Sequence, residues 1–258
     1  MKRIIFLVIT VIGSVAFSNA QISDNITLNV NDLMFLKNRT YDVISINEDT
    51  FTDEIGSPQL PVKVISYVLP YNSTVTSITI NSVSLENLSG VFYIYPAQPP
   101  RYLDGSEPTP FVEPNQTIYG SSMPYPSGTV EIISDNYTYG YHVVTLKVYP
   151  IEYIPINKEI YLRNITFTIN YTNSFDYSRG TPFERQSLRR AELGKQFVQN
   201  IVKNVSDVEN CRNQNAQIVT NSRNQAEPTR GGSTSAIDTL VPDYIIITNE
   251  LLKPTFQH

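Results

Sequence analysis

Ile165-Thr166-Phe167-Thr168-Ile169-Asn170-Tyr171 decides the fold class. Large apolar and polar side chains alternate at every step, and only an extended strand gathers that spacing into one apolar face. A lone apolar face needs a cover, so the pattern should recur nearby. Val144, Leu146 and Val148 repeat it, and Ile78, Ile80, Val83 and Leu85 stand against Ser, Thr and Asn between Val75 and Leu85. Farther out, Ile26, Leu28 and Val30 alternate with Thr27 and Asn29, and Val43, Ile44 and Ile46 run into an acidic turn at Glu48 and Asp49. Val62 to Leu69 is bounded by Pro61 and Pro70, which cannot donate to a ladder and so fix its ends. Such strands, separated by Pro, Gly and Asn turns, predict an antiparallel sandwich or barrel. The sandwich is taken, over residues 21–175, because the inward faces need a second sheet.

The flanks read differently. Lys2 and Arg3 precede an apolar stretch from Ile4 to Phe17, and Ser18-Asn19-Ala20 puts small residues at −3 and −1 ahead of Gln21. Residues 1–20 therefore read as a secretory signal cut between Ala20 and Gln21, shorter than the roughly 20 apolar residues of a membrane anchor. The mature chain is expected to be secreted or on the cell surface, touching a membrane only through this leader during export. Past Thr172, Thr181-Pro182-Phe183-Glu184 is a capping box, and Leu193, Phe197 and Ile201 recur at spacing four with Val198 and Val202 beside them. That predicts an amphipathic helix from Pro182 to about Lys203. Asn210 to Ser235 reads as a polar linker, so residues 176–238 are assigned to helix and linker. Asp243-Tyr244-Ile245-Ile246-Ile247-Thr248 is then a buried strand running into a helix start, the opening of an α/β domain over 239–258. The chain reads as a fragment of something longer.

Composition excludes several function classes. The 258 residues are 41 % hydrophobic and carry a formal charge of −5, against the basic face that a nucleic-acid binder needs. One cysteine, Cys211, excludes a disulfide framework and a Cys-clustered zinc site, and two histidines, His142 and His258, leave little for a His-based metal centre. No cofactor or metal is expected. Between Tyr95 and Thr129 lie eight prolines, which forbid a continuous paired strand, and Tyr102, Phe111, Tyr119 and Tyr125, which argue against disorder. The interval reads as a functional loop or as a loop laid over the sandwich.

Several stretches resemble gingipain-type (peptidase family C25) propeptides. They are Gly56-Ser57-Pro58-Gln59-Leu60-Pro61 with Val68-Leu69-Pro70, Tyr95-Pro96-Ala97-Gln98-Pro99-Pro100, Tyr119 through Tyr125-Pro126, and Val148-Tyr149-Pro150-Ile151-Glu152-Tyr153-Ile154-Pro155. Asp243 to Thr248 is similar to the strand that opens the caspase-like catalytic domain of that family. Ile154 precedes Pro155 where the family has Asn, and the linker before Leu240 is long. The resemblance implies the propeptide of a secreted cysteine endopeptidase, an inhibitor and folding aid removed by proteolysis, with the catalytic His and Cys beyond this sequence. Its implied partners are its own downstream catalytic domain and a processing protease, itself or a relative.

An inhibitory propeptide must place a segment in the substrate cleft. Proline stiffens the Tyr95–Thr129 loop, and Arg101, its single basic residue, followed by Tyr102, is the expected contact. Maturation needs an exposed, flexible site, and Arg230-Gly231 in the linker fits best, ahead of Arg212 and Arg223, with Arg189-Arg190 inside the helix. Cys211 reads as an exposed linker thiol rather than a nucleophile, and His142 as a solvent-facing strand residue. Glu48, Asp49, Asp53 and Glu54 cluster on a turn with no spacing that marks a glycosidase pair. Nine N-x-Ser/Thr tripeptides, at Asn25, Asn38, Asn72, Asn87, Asn115, Asn136, Asn164, Asn170 and Asn204, follow from the abundance of those residues. The alternative function is a non-catalytic adhesion or carbohydrate-binding module with the Pro-rich loop as its binding face.

Overall fold

A computed structural model describes residues 20–47, 50–100, 109–174, 185–212 and 217–219, with backbone alone at 185–187 and 217–219. All lie in the first of two compact units, 1–220 and 221–258. Along the chain run β1 (Ala20–Ile26), β2 (Met34–Asn38), β3 (Tyr41–Ser45), β4 (Lys63–Leu69), β5 (Thr74–Leu88), α1 (Gln116–Tyr119), β6 (Val130–Thr138) and β7 (Tyr141–Val148). Then come β8 (Ile151–Ile154), β9 (Glu159–Thr172), β10 (Arg185–Ser187), α2 (Leu188–Ile201), α3 (Val208–Cys211) and β11 (Gln217–Val219).

Two antiparallel sheets carry the body, β1-β9-β5 with β8 also on β9, and β4-β7-β6. Between them lies a core of Ile26, Tyr67, Leu69, Val144, Leu146, Val148, Ile165, Phe167, Ile169 and Tyr171. The alternation read on β7 and β9 is thus the facing surface of a sandwich, as expected. A second core gathers Leu28, Leu33, Ile44, Ile46, Leu60, Leu88, Ile94, Ile151, Tyr153, Ile160 and Leu162. It joins the β2–β3 hairpin to the far ends of β5, β8 and β9.

Two strand readings shift. β1 ends at Ile26, and Val30–Asp32 form a 3-10 turn in which the Asp32 carboxylate accepts from the Asn29 N–H at 3.0 Å. A side chain that satisfies the backbone locally competes with the ladder, so Leu28 is buried outside a strand and Val30 is exposed. On β5, register shifts at Val75/Ser77 and Ile80/Ser82 break the period, and Ile80, Val83 and Leu85 are exposed on this edge strand.

The helix reading needs the larger correction. α2 begins at Leu188, not Pro182, because Arg185–Ser187 are extended and pair in parallel with β11. Its buried side chains are Ala191, Gly194 and Val198, whereas Leu193, Phe197 and Ile201 are exposed. Contact distance explains the reversal. A Cβ on Gly194 would fall 2.5 Å from the Cβ of Tyr139, so the small face lets the helix reach the sheet and a larger one could not. Tyr139 (φ 52) and Gly140 (φ 83) form the positive-φ pair of the two-residue β6–β7 turn. Val198, Val202, Val208 and Cys211 then cover Val68, Tyr141 and Val143 on the outer side of β4 and β7. Beyond α2 the Asn204 amide accepts from Val68 N–H and donates to Val68 C=O, both at 2.9 Å, closing part of the β4 edge.

Candidate functional site

The first limb of the Pro-rich loop and its midpoint at Asn115 both bond to the Gly56–Pro61 stretch. Gly56 N–H donates to Ala97 C=O at 2.8 Å, Ala97 N–H to Ser57 C=O at 2.8 Å, and Gln59 N–H to Tyr95 C=O at 2.8 Å. From the returning limb, Asn115 N–H donates to Gly56 C=O at 2.9 Å. Gly56 has φ +81, a conformation that glycine adopts without strain, while a Cβ there would meet Glu113 O at an ordinary contact distance of 3.6 Å.

Proline removes backbone donors, and a side chain supplies them here. The Gln98 amide donates to Pro96 C=O at 3.0 Å and Val112 C=O at 2.9 Å and accepts from Val112 N–H at 2.8 Å. Residues on either side of 101–108 are thereby tied directly to each other. Below them Tyr41 packs against Tyr93 (4.9 Å), Tyr95 (5.9 Å) and Phe111 (6.0 Å), and the Arg39 guanidinium lies 4.1 Å from the Phe111 ring centroid. The Tyr119 hydroxyl donates to Ile94 C=O at 2.8 Å, and burial pushes its phenol up, so it remains a neutral donor.

The Val148–Pro155 stretch closes the other end of the loop. Tyr125 and Tyr153 exchange both backbone hydrogen bonds at 2.8 Å, and burial pushes the Tyr153 phenol up to about 12 while its hydroxyl donates to Phe92 C=O. Arg163 lies beneath. It donates to Gly128 C=O at 2.7 Å, Pro126 C=O at 3.0 Å and the Glu152 carboxylate at 2.7 and 3.0 Å. The stretches singled out in the sequence are therefore the two bands that hold the loop down. The sequence pattern marks the stretch that holds Gln98 but not its role, and it does not mark Arg163. The available signal was a proline-rich run whose carbonyls needed donors from elsewhere.

Arg101 and Tyr102, and Arg230 and Gly231, lie outside the described residues, as do Glu48 and Asp49. Ala20 and Gln21 open β1 opposite Tyr171 and Asn170, so a cut between them would leave β1 from Gln21 onward. Tyr119 and Tyr125 pack inward rather than forming a binding face. Asn204 gives its amide to Val68, which opposes its use as a glycan acceptor.

Two readings are corrected. His142 does not face solvent: it is fully buried, with Nε2 2.6 Å from Asp135 Oδ1, Nδ1 3.0 Å from Ser73 Oγ, and its ring on Tyr137. Facing β6 and the β4–β5 turn gives it polar partners that a one-dimensional pattern cannot show. The Ser-His-Asp set is sealed inside the sandwich, and Ser73 Oγ donates to Pro70 C=O, so no substrate carbonyl reaches it. Cys211 is 5 % exposed, in the cluster under α2, not in an open linker. Burial pushes its thiol up to about 11, the reverse of an activated nucleophile. Among the described residues no group of three or more His, Cys, Asp or Glu side chains is placed to hold a metal ion.

No curated protein matches the chain. Among solved structures, one reported as structural insight into zymogenic latency of gingipain K from Porphyromonas gingivalis is 18 % identical, with 58 % of this chain and 98 % of that one covered, at TM-score 0.48. A complex of Porphyromonas gingivalis RgpB pro- and mature domains is 12 % identical, with 72 % of this chain and 93 % of that one covered. Its TM-score of 0.55 bears out the sandwich fold. The family model Propeptide_C25 matches residues 9–188, which contain both bands and the whole loop between them. That match disfavours the adhesion-module alternative, and the chain belongs to the Propeptide_C25 family as the N-terminal propeptide of a gingipain-like protease.

Proposed function

We propose that this propeptide inhibits its own catalytic domain and assists its folding, placing residues 101–108 in the substrate cleft with Arg101 and Tyr102 as the contact. The observation that carries the reading is the tie between Gln98 and Val112, which brings the two ends of that segment together on a two-sheet body. Such preorganisation lowers the entropy lost on docking. The RgpB pro-domain forms a complex with a mature domain, and the same class of partner is assigned here. Expected on this reading is that Arg101→Ala weakens inhibition of the mature peptidase by about tenfold or more, as the loss of a charged, cleft-filling contact does. Equal inhibition constants for Arg101→Ala and the unmodified chain would refute it.

The same reading places the chain in the export path: residues 1–20 as the leader, a sandwich over 21–175, helix and linker to 238, and the α/β catalytic domain from 239. The parent protein is secreted or at the cell surface, and a gingipain-like peptidase, itself or a relative, removes the propeptide. Cleavage belongs after Arg230, before Gly231. Arg189 and Arg190 lie in α2, and Arg212 follows buried Cys211 with its backbone bridged to Tyr141, none of which suits an extended cleft. N-terminal sequencing of the mature enzyme is expected to begin at Gly231. A start before Thr220 or inside Tyr244–Thr248 overturns this site.

A further inference from the structure

We propose that Leu193, Phe197 and Ile201 on α2, with Tyr139 beside them, form a docking surface for the mature peptidase, separate from the contact assigned to its cleft. The inference rests on the reading that this propeptide holds its own catalytic domain, and it gives a partner to the apolar row that the sheet leaves uncovered.

The row is left open on a helix that is firmly held. Leu193, Phe197 and Ile201 recur at spacing four, which stacks them along one side of α2, and all three are exposed. The adjoining side is pinned: Ala191, Gly194 and Val198 are buried, and Asn204 clasps the Val68 backbone beyond the helix end. Rolling α2 to cover the larger side chains would part Gly194 from Tyr139 and bring the fully buried Val198 into water. The Phe197 ring lies 5.5 Å from the exposed Tyr139 ring, so the apolar surface runs from the helix onto the β6–β7 turn. One border is polar, where the Gln196 amide donates to the Glu192 carboxylate at 3.2 Å. Contiguous aromatic and aliphatic side chains beside a polar rim have the anatomy of a protein interface.

Size and chain position choose the occupant. Three aliphatic and aromatic side chains and one neighbouring ring fall far short of the roughly 20–30 residues that each side gives to a stable interface between separate molecules. A second copy of the chain would therefore be held too weakly. A tethered domain needs much less, because its linker keeps it at an effective concentration of the order of millimolar. α2 is the last long element among the described residues, β11 ends at Val219, and residues 220–238 separate it from the catalytic domain assigned to begin at 239. The row thus lies on the element that leads into the tether. Cutting the linker removes the advantage of high effective concentration, so a surface this small helps to hold the domain before maturation and loosens its grip afterwards.

The test adds the 258-residue chain, unmodified or as Phe197→Asp, Leu193→Asp or Leu85→Asp, to its mature peptidase and reads inhibition constants with a small peptide substrate. Both helix variants are expected to raise the constant by about tenfold or more. Cys211, which lies under α2, should stay slow to react with a thiol reagent, showing that the helix remains on the sheet. Leu85→Asp, at a comparably exposed (50 %) position on β5, should leave the constant unchanged. Unchanged constants in both helix variants overturn the proposal, as does an equal rise in Leu85→Asp. A rise confined to variants whose Cys211 labels fast also overturns it, because the cause is then a loosened helix. So does sedimentation of the unmodified chain as a dimer that Phe197→Asp converts to monomers, since a second copy then covers the row. If Arg101→Ala weakens inhibition while the helix variants do not, the cleft reading stands and the docking surface falls. If only the helix variants act, the docking surface stands and Arg101 is excluded as the cleft contact.

Discussion

Replacing Arg163 by methionine is expected to remove about 3–5 kcal/mol of stability, the cost typical of breaking a buried ion pair from one side. Arg163 is 4 % exposed, and its guanidinium satisfies two loop carbonyls besides the Glu152 carboxylate. Methionine fills much of the volume but leaves Glu152 charged, largely buried and unpaired, with Pro126 and Gly128 carbonyls short of a donor. Lysine keeps the charge without the planar fork, so Arg163→Lys should recover only part of the loss. Urea denaturation of the three proteins decides it, and a loss below about 1 kcal/mol for Arg163→Met would show that water replaces the guanidinium. The double change Arg163→Met with Glu152→Gln should be milder than Arg163→Met alone, because the orphaned charge is then gone.

Val198→Asp and Phe197→Asp form the second test. These neighbours on α2 have opposite surroundings: Val198 is 0 % exposed against β4 and β7, and Phe197 is 45 % exposed beside the Tyr139 ring at 5.5 Å. A carboxylate at 198 must be protonated or leave the sheet, so a loss of about 3–5 kcal/mol or release of the helix is expected. At 197 the change should stay near 1 kcal/mol, since the group reaches water and sacrifices one partly exposed ring contact. Cys211 reports the outcome directly, because it shares the buried cluster. A thiol reagent should label it quickly in Val198→Asp and slowly in Phe197→Asp and the parent chain. The reverse order would mean that the larger stripe is the docked face.

Helix orientation illustrates where a linear pattern stops being informative. Hydrophobic spacing marked Leu193, Phe197 and Ile201, and the same turns carry Ala191, Gly194 and Val198 one step around. Both are apolar rows at helical spacing. The choice between them depends on how close the sheet lies, and Gly194 against Tyr139 is a contact between segments 55 positions apart. His142 misled for a related reason: within β7 it reads as one polar residue among valines, and its partners Ser73 and Asp135 come from other elements. Cys211 looked exposed because its neighbours in the chain are polar, although its neighbours in space are Val198, Val202 and Val208.

Strand alternation on β7 and β9, the proline-bounded β4 and the family resemblance could be read residue by residue, because side-chain period and missing N–H donors are local properties of the chain. They were enough for the sandwich and for the propeptide assignment. The ties made by Gly56 and Gln98 and the Arg163 anchor are matters of another kind. Gly56, Gln98, Val112 and Asn115 span 60 residues, and Arg163 reaches back to Pro126 and Gly128. A carbonyl without a donor is visible in a sequence, but which distant side chain supplies the donor is set by how the two sheets stack and which edges they leave open. Hydrogen bonds of this directional sort act over about 3 Å, so the partner is chosen only after the chain has folded.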